Sequence, residues 1–541
     1  MKIRSLAGLA ASAFAAALAG PALAFEGKSV AATDCSYGGT ILSIEATDPL
    51  TVVFTMCTPD PAFLGKAAFT PFGIQPEEHI LSAGVDGSII ANPIGTGPFK
   101  LDAWNRGDSI VYSRFEDYWG PKPAFQTLVY RWGDSGAARL TELRAGTVDH
   151  ITALSPDDYS TVESDASLKF LVNNNPNVLY VGINHNNAPF DNIKVRHAIA
   201  MGIDRNRIVA AYYPAGSTVA SHFTPCSLPN ACVGEPWYDF DPAAAKALLA
   251  EAGYPDGFST KIFFRDVARV YIPEPALIAV EIQSQLRDNL GINAEVVVME
   301  SGEFIAETTA GNVDGLFLLG WGADYPHVTN FLDFHFGTSS LRFGDPFPEI
   351  YEPLAEAATI GDAATAEPLY VTANNAIRDL VPMVPIANTA AAHAALATLE
   401  GANIPPFGAP QFEGTNPGKD TLVFMQNAEP ISLYCGDETD GESLAACQPV
   451  VESLLNYAID SGDTVPSLAT SCESNADSTV WTCHLRDGVT FHDGSTFDAD
   501  DVVVSWAAGI DASNPAHHGN TGTFEYFAGL WGAHMNAPAA E

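Results

Sequence analysis

The most informative stretch of this 541-residue chain lies near its C-terminal end and reads Trp481-Thr-Cys-His-Leu-Arg-Asp-Gly-Val-Thr-Phe-His-Asp-Gly-Ser-Thr-Phe-Asp-Ala-Asp-Asp-Val502. Its first residues and the preceding Leu468-Ala-Thr-Ser-Cys-Glu-Ser474 flank a turn-like Asn475-Ala-Asp477. Two β-prone segments around such a turn predict a β-hairpin. In that hairpin Cys472 and Cys483 can be cross-strand neighbours, close enough for a disulfide.

Alternating and periodic apolar residues upstream predict an α/β fold. Residues 41–56 alternate on both sides of Asp48-Pro49 and predict a second hairpin. Asp241-Pro242 has the signature of a helix start, and that helix is expected to end at Gly253.

The segment that follows predicts parallel strands. A strand over 259–264, a helix over 276–290 and a strand over 294–299 form a strand–helix–strand unit, which implies a parallel pair. Leu277, Val280, Leu286 and Leu290 are the expected buried stripe of the helix. The apolar run Leu316-Phe-Leu-Leu-Gly-Trp321 is typical of a strand covered on both faces.

Composition and the N-terminus indicate an exported protein. Met1-Lys-Ile-Arg4, a short apolar run and Pro21-Ala-Leu-Ala24 have the pattern of a cleavable signal peptide, 1–24. The next residue, Phe25, is not a cysteine, so no lipid anchor and no membrane insertion are expected. The formal net charge of −40 disfavours binding to nucleic acid or anionic lipid.

The eight cysteines fall into neighbouring pairs, which indicates disulfides in an exported chain. Sequence alone allows many pairings, and zinc is the alternative, although no CxxC motif supports it. The local scheme pairs the residues in chain order: Cys35 with Cys57, Cys226 with Cys232, Cys435 with Cys447, and Cys472 with Cys483.

Several blocks resemble the peptide-binding (dipeptide and oligopeptide) family of ABC-transporter solute-binding proteins. The stretch 481–502 resembles the family block "LRdGvkFHDGtpfdAdDV", and the other resembling blocks are 92–100, 117–120, 179–191, 195–204, 321–326 and 422–433. In the family the block that 481–502 resembles lies in the first quarter of the chain, whereas here it is the last of the resembling blocks. The rotated order predicts a circularly permuted receptor, with the Pro/Gly-rich segment 401–419 as the linker that runs over the surface and joins the ancestral ends.

The resemblance implies a two-lobed, type II periplasmic-binding-protein fold of the α/β class with an extra small domain. The expected division is a signal peptide at 1–24, part of the small domain at 25–90, the first part of lobe 1 at 91–205, lobe 2 at 206–401, the linker and the rest of lobe 1 at 402–434, and the rest of the small domain at 435–541.

Candidate ligand-binding residues also follow from the resemblance. Asp324 matches the family aspartate that binds the peptide α-ammonium, although His327 and Val328 depart from the family pattern at that block. Trp321 can stack on a ligand or pack between strand and helix. Tyr434 and Asn184 match positions near the family's cleft.

The resulting functional hypothesis is a periplasmic receptor that captures a short peptide and delivers it to a membrane ABC permease. It is expected to be a monomer without cofactor, metal or catalytic activity. The alternatives are an oligosaccharide-binding receptor and a secreted hydrolase. The motifs GxSxG, HExxH and the P-loop are missing from the sequence. His492-Asp493 is interpreted as a structural turn.

Overall fold

The structure is a computed structural model that describes residues 25–133, 135–173 and 175–538. The predicted signal peptide therefore lies outside the described residues. Among the helices that are described, none combines the length and apolar character needed to cross a bilayer.

The strands follow in chain order: β1 (Ser29–Ala31), β2 (Ile41–Asp48), β3 (Thr51–Met56), β4 (Phe99–Asn105), β5 (Ser109–Arg114), β6 (Thr127–Trp132), β7 (His150–Ile151), β8 (Leu168–Asn173), β9 (Asn177–Ile183), β10 (Thr218–Val219), β11 (Ser259–Arg265), β12 (Asn293–Met299), β13 (Leu316–Gly322), β14 (Met383–Asn388), β15 (Ala391–Leu396), β16 (Thr421–Gln426), β17 (Leu455–Tyr457), β18 (Thr464–Pro466), β19 (Ala469–Ser474) and β20 (Val480–Leu485).

The helices are α1 (Phe63–Ala67), α2 (Glu77–His79), α3 (Gly136–Ala145), α4 (Tyr159–Ser164), α5 (Ile193–Gly202), α6 (Arg205–Tyr212), α7 (Pro242–Glu251), α8 (Pro275–Leu290), α9 (Ser301–Thr309), α10 (Thr329–Phe336), α11 (Pro348–Ala357), α12 (Ala363–Leu380), α13 (Gly441–Cys447), α14 (Ala499–Ile510) and α15 (Glu525–Trp531).

Two mixed sheets form the larger part of the molecule. The first has the strand order β4-β5-β6-β16-β7-β15-β8, and the second has the order β10-β14-β9-β13-β11-β12. Strand β11 pairs in parallel with β12 and with β13, which confirms the strand–helix–strand prediction. Helix α7 begins after Asp241, whose side chain accepts from the backbone N–H groups of Ala243 and Ala244, as the sequence predicts.

The predicted stripe of α8 is confirmed in its C-terminal half and wrong in its N-terminal half. Leu286 and Leu290 are buried, whereas Leu277 and Val280 are 54% and 49% exposed. Helix α8 packs on β11 and β12. In its N-terminal half the buried side is formed instead by Ile278, Ala279 and Ile282.

A third sheet joins the two ends of the chain. Its order is β1-β2-β3-β20-β19, so the hairpin β2–β3 continues directly into the hairpin β19–β20. Phe54 of β3 packs against Trp506 of α14, with ring centroids 4.9 Å apart, and both side chains are fully buried. Residues from opposite ends of the sequence thus share one core. The circular permutation itself stays a prediction.

The chain passes from one of the two larger sheets to the other at 175–176 and at 389–390. Strand β9 belongs to the second sheet and β15 to the first. The expected domain bounds at 205/206 and 401/402 stay a prediction. The Asn177 side chain ties the crossings together, because Nδ2 donates to the Thr389 carbonyl at 2.7 Å while Oδ1 accepts from the Thr389 backbone N–H at 3.1 Å.

Segment 401–419, which was expected to run over the surface, lies there only in part. Phe407 and Phe412 are each only 3% exposed. Phe407 packs against Tyr457, and Phe412 packs against Phe424, with ring centroids 5.2 and 5.4 Å apart. The two phenylalanines anchor the segment in the core because burying each ring contributes about 1.5–3 kcal/mol.

The four local disulfides are present as predicted, and they join Cys35 to Cys57, Cys226 to Cys232, Cys435 to Cys447, and Cys472 to Cys483. The last pair lies directly cross-strand in the β19–β20 hairpin, which confirms the basis on which it was predicted.

Candidate ligand-binding site

A cavity of about 700 Å³ lies between the two larger sheets and is also bounded by residues from both ends of the chain. We call it the central cavity. Its volume is in the range of sites that enclose small ligands, about 300–1,000 Å³. Its polar and aromatic wall residues include Arg139, Thr152, His393 and Gln426 on the first-sheet side, Arg269, Glu274 and Asp324 on the second-sheet side, and Phe69, Thr70 and Tyr526 from the chain ends.

Asp324 lies where strand β13 ends and its loop reaches the cavity. The loop is held by Asn330, whose Oδ1 accepts from the Asp324 backbone N–H at 3.1 Å and whose Nδ2 donates to Asp324 Oδ2 at 3.0 Å. The Tyr526 hydroxyl donates to Asp324 Oδ1 at 3.2 Å. Both carboxylate oxygens are therefore oriented, and each retains a lone pair for a ligand.

Asp324 has no cationic partner in an ion pair among the residues that the structure describes. Burial raises the pKa of its carboxyl to about 6, while the hydrogen bonds from Asn330 and Tyr526 oppose this rise. None of the ion pairs among the described residues includes Asp324. A carboxylate with neutral donors and no cation is a site for a cationic ligand group, since a charge-assisted hydrogen bond strengthens as water leaves.

Arg269 supplies positive charge to the same cavity. It lies in the loop after β11, and this loop is closed by mutual backbone hydrogen bonds between Arg269 and Ile272, at 3.1 and 2.9 Å. Thr389 fixes the loop further, because its hydroxyl donates to the Val270 carbonyl at 2.8 Å. The Arg269 side chain is exposed and donates to its neighbour's carbonyl, that of Ala268, at 3.0 Å. The guanidinium can reach a ligand carboxylate without losing an ion pair among the described residues.

The opposite wall carries a histidine pair. His150 Nε2 and His393 Nδ1 are 3.2 Å apart, and His393 lines the cavity. Burial, with the nearby Arg139, lowers the pKa of His393 to about 3, so both rings are neutral near pH 7. Arg139 donates to the carbonyls of Thr152 and Ala153, at 3.1 and 2.6 Å, and so supports this wall.

Of the four predicted ligand residues, only Asp324 lines the cavity. Trp321 packs instead: its ring stacks on Phe334, with centroids 4.2 Å apart, and its Nε1 donates to Asn330 Oδ1 at 2.9 Å. In this position Trp321 supports the Asp324 loop through their common partner Asn330.

Tyr434 and Asn184 also lie away from the cavity wall. Tyr434 is 5% exposed and packs against Phe524, with ring centroids 5.8 Å apart. Asn184 is 2% exposed, and its Nδ2 donates to the Gly311 carbonyl at 2.6 Å. Both side chains have structural contacts, so we retain neither in the proposed site.

Arg269 and Tyr526 were missed by the sequence analysis. Arg269 had a usable signal, since it follows the C-terminal end of a parallel strand, where ligands of α/β sheets bind. Tyr526 had none, because about two hundred residues separate it from Asp324 and only the tertiary fold brings them together.

One group of potential metal ligands is present among the described residues: His222 with Cys226 and Cys232. The two sulfurs are bonded to each other in a disulfide, so neither is a thiolate ligand. His492, which is adjacent to Asp493 in sequence, contacts the Gly97 carbonyl through Nε2 at 2.8 Å, consistent with a structural turn.

Comparison with known proteins gives a consistent result. The family model for bacterial extracellular solute-binding proteins, family 5 Middle, matches residues 11–342 and 463–533. A dipeptide-binding protein from Pseudomonas aeruginosa is 30% identical over 393 residues, which are 71% of this chain and 73% of that protein. Heme-binding protein A from Haemophilus influenzae is 29% identical over 384 residues, 69% of each chain.

The same fold is found among solved structures. The structure of HbpA2 from Haemophilus parasuis superimposes with a TM-score of 0.62 at 28% identity, over 70% of this chain and 76% of that chain.

Proposed function

We propose that this chain, which belongs to the family 5 bacterial extracellular solute-binding proteins, captures short peptides in the central cavity and delivers them to a membrane ABC permease. The observation that carries the proposal is an oriented carboxylate, Asp324, that lines the central cavity and has no ion-pair partner among the described residues. Similarity to a dipeptide-binding protein supports a peptide over the oligosaccharide and hydrolase alternatives.

In this proposal Asp324 receives the peptide α-ammonium. Arg269 receives a carboxylate of the ligand, through the paired donors that make a guanidinium suited to such a group. Both side chains lie on loops that follow strands of the second sheet, so one lobe orients the charged ends. The first-sheet wall, with His393 and Gln426, then faces the peptide from the other lobe.

Two-lobed binding implies movement about the crossings at 175–176 and 389–390. The Asn177–Thr389 hydrogen bonds couple these two crossings, so they bend together. Closure would enclose the peptide and create the shape that a permease recognises. We further propose that the protein works as a periplasmic monomer, after cleavage near Ala24, and that it releases its ligand chemically unchanged.

The decisive experiment is mass spectrometry of ligands released from protein purified without refolding, followed by calorimetry. We expect unmodified dipeptides or tripeptides to bind, and N-acetylation to abolish most of the affinity because it removes the ammonium. Equal affinity for the acetylated and the free peptide would contradict the role of Asp324. Hydrolysed products in the eluate would revive the hydrolase alternative.

Haem is a second candidate ligand. A relative is named for haem binding, and His393 lines the cavity and could contact an iron or a propionate. Addition of haem, followed by visible absorption, tests this candidate directly. A Soret shift that is lost in His393→Ala would favour haem, whereas an unchanged spectrum alongside calorimetric peptide binding would favour the peptide.

A further inference from the structure

The site of Asp324 includes a residue from the C-terminal end of the chain. Tyr526 lies on α15, lines the central cavity and donates through its hydroxyl to Asp324 Oδ1 at 3.2 Å. Phe69, another wall residue, packs edge-on against the Tyr526 ring with centroids 4.8 Å apart. The hydroxyl is thus held at the carboxylate by a rigid aromatic contact.

A second tyrosine anchors the backbone of the same loop. The Tyr457 hydroxyl contacts the carbonyls of Gly65 and Asp324, at 2.7 and 3.3 Å. Gly65 packs so tightly on Pro326 that a Cβ at this position would lie 3.2 Å from the proline ring. The loop that carries Asp324 is therefore docked on residues from both ends of the chain.

We propose that Tyr526 is a positioning residue for Asp324: its hydroxyl orients one carboxylate oxygen and favours the charged form that receives a ligand ammonium. This inference rests on the proposed function, because it assigns to the third sheet and its helices a role in ligand binding at the same site. Tyr526 need not touch the ligand to act in this way.

The charges around Asp324 make this role measurable as a pH dependence. The hydrogen bond from Tyr526 lowers the pKa of Asp324, which burial raises. Other titratable groups face Asp324 or its immediate neighbours from the packed elements, and these are Tyr325, His327, Asp333, Tyr457, Glu525, Asp440, Asp60 and Lys66. Of these, Lys66 is a cation, and its ion pair is with Asp60. Removing the Tyr526 hydroxyl therefore leaves the Asp324 carboxylate with one donor fewer and a higher pKa.

Binding of an ammonium needs Asp324 deprotonated and the peptide amine protonated. Affinity for a free dipeptide should accordingly fall below about pH 6, where Asp324 takes up a proton, and above about pH 8, where an α-amine loses its own. In Tyr526→Phe this fall of affinity at low pH, the acid limb of the profile, should begin about one pH unit higher. At a given pH on the acid limb, affinity should then be about tenfold lower than for the parent. Near pH 7.5 the affinities of the two proteins for the dipeptide should differ by less than they do on the acid limb.

The experiment is calorimetric titration with alanyl-leucine from pH 5 to pH 8 for the parent and Tyr526→Phe. Tyr434→Phe is the matched control, because Tyr434 is a buried tyrosine that lies outside the cavity. Its acid limb should coincide with that of the parent. An acid limb of Tyr526→Phe that also coincides with the parent's would overturn the inference and leave the proposed function standing.

A ligand-free measurement separates the two hypotheses. The ¹³C carboxyl signal of Asp324, identified by its absence in Asp324→Asn, should titrate at higher pH in Tyr526→Phe than in the parent. If alanyl-leucine fails to bind the parent, the dipeptide function fails, and this titration alone decides the inference. An unchanged midpoint would overturn the inference whether or not a peptide binds.

Discussion

Asp60 and Asp324 are two carboxylates with restricted solvent access on facing loops, and they differ in what satisfies them. Lys66 Nζ lies 2.7 Å from Asp60 Oδ2, and the two side chains are 10% and 7% exposed. Asp324 accepts hydrogen bonds from the neutral side chains of Asn330 and Tyr526, and it has no ion-pair partner among the described residues. A paired buried charge contributes to the fold, whereas an unpaired one at a cavity is poised for a ligand.

The two loops touch each other. Gly65, which precedes Lys66, packs against Pro326. Pro326 lies two residues after Asp324. Differences in the response of the two carboxylates to mutation therefore reflect their partners and not their location in the molecule. The following predictions test this contrast, beginning with the largest expected effect.

Lys66→Met should destabilise the empty protein by about 3–5 kcal/mol, because it leaves Asp60 buried and unpaired. The free energy of unfolding in urea measures this loss. The double variant Lys66→Met, Asp60→Asn should recover most of it, since no unpaired charge then remains. Dipeptide affinity of the folded single variant should stay close to that of the parent, and a large loss of affinity would erase the contrast between the two loops.

Asp324→Asn should weaken binding of an unmodified dipeptide by about 2–5 kcal/mol, the range for truncating one partner of an enclosed charge pair. Calorimetry at pH 7 measures the change. N-acetylation of the peptide removes the other partner, so the mutation and the acetylation should not be additive. Additive losses would mean that the ammonium binds elsewhere.

Arg269→Ala should weaken the same dipeptide by about 1.5–3 kcal/mol, the contribution of a hydrogen bond to a charged group. The loss is expected to be smaller than for Asp324 because Arg269 is exposed. For a peptide with an amidated C-terminus, the variant and the parent should have the same affinity. Arg287→Ala is the control, since Arg287 is paired with Asp288 on α8 and lies outside the cavity.

The change in the free energy of unfolding between pH 4 and pH 7 should differ between the parent and Asp324→Asn by about 2–3 kcal/mol. The pKa of Asp324 is raised to about 6 from 3.8, so the folded state binds the proton more tightly than the unfolded state. Its contribution to stability is thus present below about pH 4 and is lost as the pH rises to about 6. Urea unfolding of both proteins at pH 4, 5, 6 and 7 measures this. A parallel pair of profiles would show that Asp324 is not desolvated.

The local features of this molecule could be predicted from the sequence. Hairpins β2–β3 and β19–β20, the α7 cap at Asp241, the parallel β11–β12 pair and the Cys472–Cys483 disulfide follow from periodicity, capping and turn residues over short separations. Asp324 was named from the family resemblance of the block 321–326, and its role in ligand binding stays a prediction. The N-terminal half of the α8 stripe could not be predicted, because Leu277 and Val280 fit the helical period as well as the residues that the sheet buries.

What the sequence by itself determined about this protein is its α/β character, its family and the carboxylate that we propose for its site. Only the tertiary structure decided which side chains meet that carboxylate. Trp321 and Tyr434 pack against other rings, and Asn184 donates to a backbone carbonyl. Tyr526, about two hundred residues away in sequence, contacts Asp324. The physical reason is that local patterns specify elements by nearest-neighbour sterics and burial, whereas a site is made by contacts distant in sequence, for which no periodicity exists.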